Sequence, residues 1–108
     1  MGDQAFQALA ERALERIEDA IDACGIDADL GRNGGVLTIE FDDGSKIIVN
    51  IQGPMREIWV ATRSGGYHFR EDSGRWLGTR GEGELFACLS RWVSEQGGQP
   101  VLLAGLSE

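Results

Sequence analysis

The sequence predicts an α+β fold: a two-layer α-β sandwich with two helices packed on one face of an antiparallel sheet of about five to six strands. Two observations carry this. Apolar residues recur every three to four positions near both ends of the chain, and between those stretches the period falls to two. Helices that cover one face of a sheet leave its other face in water, so the outward residues of the strands are the ones available for function.

The first helix runs from about Gln4 to Ala23, with Phe6, Leu9, Ala10, Ala13, Leu14, Ile17, Ala20 and Ile21 on one stripe. Gly25 ends it, and Cys24 to Arg32 reads as a short connection. Strands follow at Val36 to Phe41, Lys46 to Ile51, Ile58 to Thr62, Tyr67 to Arg70 and Arg75 to Leu77. A three-residue loop at Asp42, Asp43 and Gly44, with the glycine left-handed, pairs Glu40 with Lys46. Leu37, Ile39 and Phe41 then share a buried face with Ile47, Val49 and Ile51. A two-residue loop would instead turn Lys46 and Asn50 into the apolar layer, which is costly without partners. The second helix spans about Gly83 to Gln96, with Leu85, Phe86, Leu89, Trp92 and Val93 inward and Gly97-Gly98 as its stop. Gln99 to Ala104 reads as a final extended segment, and covering the helix groove is the packing role expected of a longer tail.

The same register sends Thr38, Glu40, Lys46, Ile48, Asn50 and Gln52 to the open face. In the third strand Ile58, Val60 and Thr62 face inward, which turns Glu57, Trp59, Ala61 and Arg63 outward. Trp59 is therefore a large aromatic on a wet surface, flanked by Asn50, Gln52 and Arg63, and this composition resembles a binding hot spot. Trp76 and Trp92 read as packing residues.

Composition narrows the function. The 108 residues are one domain's worth, and an apolar fraction of 42% is enough to close a core. Eighteen acidic residues against ten basic ones give a net charge of −8. That balance disfavours a nucleic-acid partner and favours cations or a basic protein surface. No apolar stretch approaches the ~20 residues of a spanning helix, so no membrane role is expected. Met1-Gly2-Asp3-Gln4 has neither the basic start of a secretion signal nor an Arg-rich transit sequence, and a cytoplasmic location is expected. Cys24 and Cys88 belong to no metal or redox spacing and read as small buried hydrophobes, one per helix. His68 has no marked nucleophile, and Gly78, Gly81 and Gly83 do not form a phosphate loop, so no catalytic constellation emerges.

The charge is uneven, because the first 43 residues hold 11 acidic and 3 basic side chains while the remainder is balanced. On the first helix Glu11, Glu15, Glu18 and Asp22 fall within an arc of about 60°, opposite the apolar stripe, with Asp19 beside them. Asp3 precedes the helix, and Asp27 and Asp29 continue the ridge into the following loop. Like charges at i,i+4 each cost roughly 0.2–0.5 kcal/mol, and anions at a helix C-terminus oppose its dipole. Stability alone does not select this arrangement. Exposed carboxylates suit hard cations that prefer oxygen ligands, and they also steer basic protein surfaces. Asp27 to Gly31 is not a calcium-binding loop, since its third acidic ligand and closing glutamate are missing.

Several motifs occur together at compatible spacing: Asn33-Gly34-Gly35-Val36-Leu37-Thr38-Ile39, Gly44 to Asn50, Gln52-x-Pro54, Ile58-Trp59-Val60-Ala61-Thr62 and Gly65-Gly66-Tyr67-His68-Phe69. Over nearly the whole chain this resembles the bacterial frataxin family. The resemblance implies the same sandwich and a role in iron–sulfur cluster assembly. It implies weak binding of iron, ferrous and/or ferric, on the acidic ridge, where Glu11, Glu18, Asp19 and Asp22 match family positions. It also implies docking on a cysteine desulfurase near the iron–sulfur scaffold protein, with Asn50, Gln52 and Trp59 on the partner-facing sheet. The stretch from Cys24 to Arg32 departs from the family pattern, being short, with only two carboxylates and a terminal positive charge.

The expected function is thus a non-enzymatic iron donor and/or desulfurase regulator. The metal residues are Glu11, Glu15, Glu18, Asp19, Asp22, Asp27 and Asp29, and the partner residues are Asn50, Gln52, Trp59 and Arg63. The competing readings are a ferroxidase with iron storage and an acidic interaction module with incidental metal. Net charge favours a monomer without metal, while bound cations could bridge the ridges of neighbouring molecules.

Overall fold

A computed structural model describes the backbone of residues 2–103 and the side chains of residues 4–103. The elements are α1 (Gly2–Cys24), β1 (Ala28–Asn33), β2 (Val36–Phe41), β3 (Lys46–Gln52), β4 (Glu57–Thr62), β5 (Gly65–Asp72), β6 (Arg75–Gly78) and α2 (Leu85–Gly97). The six strands form one antiparallel sheet whose spatial order is the chain order. Both helices lie on the same face, as the sequence predicts.

The β2–β3 hairpin has the expected register, with Glu40 opposite Lys46. Its turn closes through the Phe41 N–H to the Ser45 carbonyl at 2.9 Å, and Gly44 takes φ +86°. Leu37, Ile39, Ile47, Val49, Ile58, Val60 and Phe69 are 0–1% exposed and form the sheet side of the core. From the helices, Leu14, Ile17, Leu85, Leu89 and Val93 reach 0%, and burying each such side chain contributes roughly 1.5–3 kcal/mol. Trp76 and Trp92 are buried, Cys88 is buried and Cys24 is half-buried at the end of α1.

Several expectations are corrected. The stretch from Cys24 to Arg32 is not merely a connection, because most of it is the edge strand β1, paired with β2 from Ala28–Phe41 to Asn33–Val36. Its inward residues are Ala28, Leu30 and Arg32, only one of them a large hydrophobe, so the period-two signal is weak. A two-residue turn at Gly34-Gly35, with Gly34 at φ +59°, makes the hairpin. Asp29 consequently lies on the open sheet face opposite Glu40, away from the helix layer.

The helix begins at Gly2, so Asp3 belongs to α1 rather than preceding it. Leu9 is 43% exposed, because at 100° per residue it sits about 90° from the centre of the buried stripe. Glu57, although on the outward side of β4, is buried.

Among the described residues the C-terminal segment, through Leu103, adds no strand. It docks on α2 through two serine hydroxyls: Ser94 Oγ accepts the Val101 N–H at 2.9 Å, and Ser90 Oγ accepts the Leu103 N–H at 2.8 Å. Leu103 is buried, while Ala104 lies outside the described residues. Helix α2 is capped at its start by Glu84, whose carboxylate accepts the Ala87 N–H at 3.1 Å, and at its end by Gly98.

Candidate functional site

Two surfaces carry the residues singled out in the sequence. The first is the acidic flank of α1. Its arc is centred about 120° from the apolar stripe rather than opposite it, which brings Glu11 and Glu18 over the edge of the sheet. There Arg32, inward on β1, reaches up to both. Its Nη2 lies 2.5 Å from Glu11 Oε1 and its Nη1 3.3 Å from Glu18 Oε1. One guanidinium therefore occupies two of the ridge carboxylates.

Glu15, Asp19 and Asp22 remain exposed on the helix, and no basic residue sits in its last turn. Asp27 and Asp29 are exposed but stand apart from this group, gathered with Glu40 and Asp42 around a shallow depression at the end of the β1–β2 hairpin. Among the described residues no three His, Cys, Asp or Glu side chains converge on one metal position. What α1 offers a cation is a row of separate carboxylates, each able to supply one or two oxygens while water fills the remaining positions.

The second surface is the open sheet face. Asn50 and His68 flank Trp59 on the neighbouring strands, and Gln52 lies opposite Glu57. The Trp59 and His68 rings stack with centroids 4.4 Å apart and planes 10° from parallel. At the edge of the indole the Glu57 Oε1 accepts the Trp59 Nε1–H at 2.8 Å, and its Oε2 accepts an Arg70 N–H at 2.6 Å. The indole hydrogen bond, foremost, together with Arg70 and His68, holds the Glu57 carboxyl below its ordinary value. Ile48, Ala61 and Gly66 floor a shallow depression beside the two rings.

Arg63 does not join this group. It follows β4, where its Nη1 lies 3.3 Å from Asp43 Oδ2 and its N–H donates to Gln96 Oε1 at 2.9 Å. Four residues separate it from Trp59, about 13 Å along an extended chain.

Sequence reasoning placed Trp59, Glu57, Asn50 and Gln52 on one face but missed His68 and Arg70 as their companions, and with them the burial of Glu57. A signal was present. The two-residue turn at Arg63-Ser64 sets β4 against β5, which puts Trp59 opposite His68 and Glu57 opposite Arg70, and opposite charges facing across strands are a favoured pair.

The chain is a strongly acidic α-β sandwich with a carboxylate-lined helix and an aromatic platform on its uncovered sheet; among the described residues no helix is long and apolar enough to cross a membrane. Comparison with known proteins gives the family. The frataxin-like domain matches residues 1–99. The iron–sulfur cluster assembly protein CyaY of Cupriavidus metallidurans is 49% identical over 107 residues, covering 95% of this chain and 96% of that protein. Its counterpart in Cupriavidus taiwanensis is 52% identical over 102 residues, covering 91% and 92%. Among solved structures, a frataxin of Psychromonas ingrahamii, studied within the CyaY family, superposes with a TM-score of 0.90 at 34% identity, covering 96% of this chain and 99% of its own. The chain belongs to the frataxin-like family.

Proposed function

We propose that this chain acts in iron–sulfur cluster assembly as a non-enzymatic iron-binding protein, an iron donor and/or regulator that docks on a cysteine desulfurase beside the scaffold protein in the cytoplasm. The names of its relatives support the pathway. The observation that carries the reading is the pairing of two surfaces on different layers: exposed Glu15, Asp19 and Asp22 on α1, and the Trp59–His68 platform on the open sheet. Iron is cargo here. Separate carboxylates bind it weakly and release it readily, which suits delivery better than storage.

The two surfaces have different tasks. The ridge field accelerates approach to a basic partner and sets its orientation. Trp59 supplies affinity, because a large aromatic desolvated at the centre of an interface is where binding energy concentrates. Trp59→Ala is expected to weaken desulfurase binding by roughly 30-fold or more, the effect of losing about 2 kcal/mol at a hot spot. Asp22→Lys is expected to slow association and to weaken the shifts that ferrous iron produces in α1 amides. Binding isotherms, desulfurase rates and an anaerobic NMR titration read these outcomes. A desulfurase that neither binds nor changes rate, with both variants indistinguishable from the parent, would sink the proposal.

One observation favours a second reading, an acidic docking module in which metal is incidental: Arg32 already occupies Glu11 and Glu18. On that reading partner binding is unchanged by chelators, and ferrous iron leaves the α1 amides unperturbed.

A further inference from the structure

Glu57 occupies an outward position of β4, where a carboxylate would ordinarily meet water, yet only 4% of its surface is exposed. A carboxylate buried in this way is costly unless both oxygens are compensated. Both are. Oε1 accepts the Trp59 Nε1–H at 2.8 Å and lies 3.6 Å from His68 Nδ1, while Oε2 accepts from Arg70 at 2.6 Å. The groups that bury it are thus the indole and imidazole of the aromatic platform and one arginine from the adjacent strand.

We infer that Glu57 is the positioning residue of the sheet-face platform: its carboxylate fixes the plane of the Trp59 indole and seats His68 against it, so that a partner meets a preformed aromatic surface. The inference rests on the reading of this face as a docking surface. A tryptophan on a wet sheet without such an anchor samples several rotamers, and ordering it on binding costs roughly 2- to 13-fold in affinity. Glu57 meets that cost during folding. Stacked face to face with His68 on the neighbouring strand, the anchored indole also stands beside the depression over Ala61 and Gly66 rather than across it.

The test combines NMR of the free protein with desulfurase binding. Each of the three tryptophans gives one indole N–H resonance, and the buried Trp76 and Trp92 serve as internal references. Glu57→Ala is expected to move the Trp59 indole resonance alone and to weaken desulfurase binding roughly 3- to 10-fold. Glu57→Gln retains an oxygen that accepts the indole N–H, and is expected to restore the resonance and most of the affinity. In a Trp59→Ala background, Glu57→Ala should add nothing further, since Glu57 acts through the indole.

An unmoved Trp59 resonance in Glu57→Ala overturns the inference, as does an equal loss of affinity with and without Trp59. Should the alanine variant fail to fold, Glu57→Met fills similar volume without accepting a hydrogen bond and makes the same comparison. If Trp59→Ala itself leaves desulfurase binding unchanged, the docking reading falls and the platform has no partner to serve; the indole resonance still decides whether Glu57 sets the ring.

Discussion

The Glu57 carboxyl loses its three companions when the chain unfolds, and its pKa returns upward to the ordinary value of 4.5. Its folded value is the lower one, so the stabilisation it provides is complete above the unfolded pKa and is lost as the pH falls through the folded value. Glu57→Gln has no such dependence at this position. Between about pH 5 and pH 3 the variant's melting temperature is expected to fall less steeply than the parent's; parallel slopes in calorimetry would show that the carboxylate is not held in this way. Some of this residue-scale detail was legible and some was not. Alternation along β4 reveals that Trp59 and Glu57 share the outer face, but not that Glu57 is buried there, because its burial depends on side chains from two strands converging. Leu9 failed for the reverse reason: an apolar residue at the margin of a helical stripe fits the period whether or not a neighbour covers it.

Among the elements, β1 was the one hidden in the sequence. An edge strand with a single large inward hydrophobe presents little hydropathy contrast, whereas β2 and the first half of β3, covered by helices, alternate cleanly. The consequence for the site is Arg32, which enters as a strand residue and pairs with Glu11 and Glu18 of α1. Arg32→Ala is expected to raise the affinity of α1 for manganous ion, a hard divalent probe, about two- to threefold by freeing two carboxylates, and to cost no more than about 1 kcal/mol of stability because the pair is partly in solvent. Unchanged affinity by calorimetric titration would mean that Glu11 and Glu18 take no part. On α2, Ser94→Ala removes the hydroxyl that accepts the Val101 N–H. A loss of about 1 kcal/mol is expected, with faster amide exchange at Val101 and Leu103; exchange that stays slow would show that the Ser90 hydrogen bond and the packing of Leu103 hold the segment without Ser94.

For the molecule as a whole, the −8 charge is concentrated in the first 43 residues, and the field is therefore directional. Encounter with a basic partner should depend on ionic strength far more than the lifetime of the complex does, because exposed charges act at a distance while the aromatic platform acts in contact. Raising salt from about 0.05 to 0.5 M is expected to lower the association rate about tenfold or more and to change the dissociation rate much less; surface-resonance kinetics separate the two, and an equal effect on both would place the charges inside the interface.

The coincidence of strand order with chain order also bears on how the molecule forms. Each strand pairing is a hairpin closed over only two to four residues, so the entropy lost in closing each loop is small and the sheet can assemble by successive local steps. Helix α1 leaves the ribosome before any of this exists. Its i,i+4 rows of like charge and its exposed apolar stripe give it little stability alone, and it acquires a surface to cover only after β2 to β5 have paired. The acidic helix is thus synthesised ahead of the sheet that covers its apolar stripe.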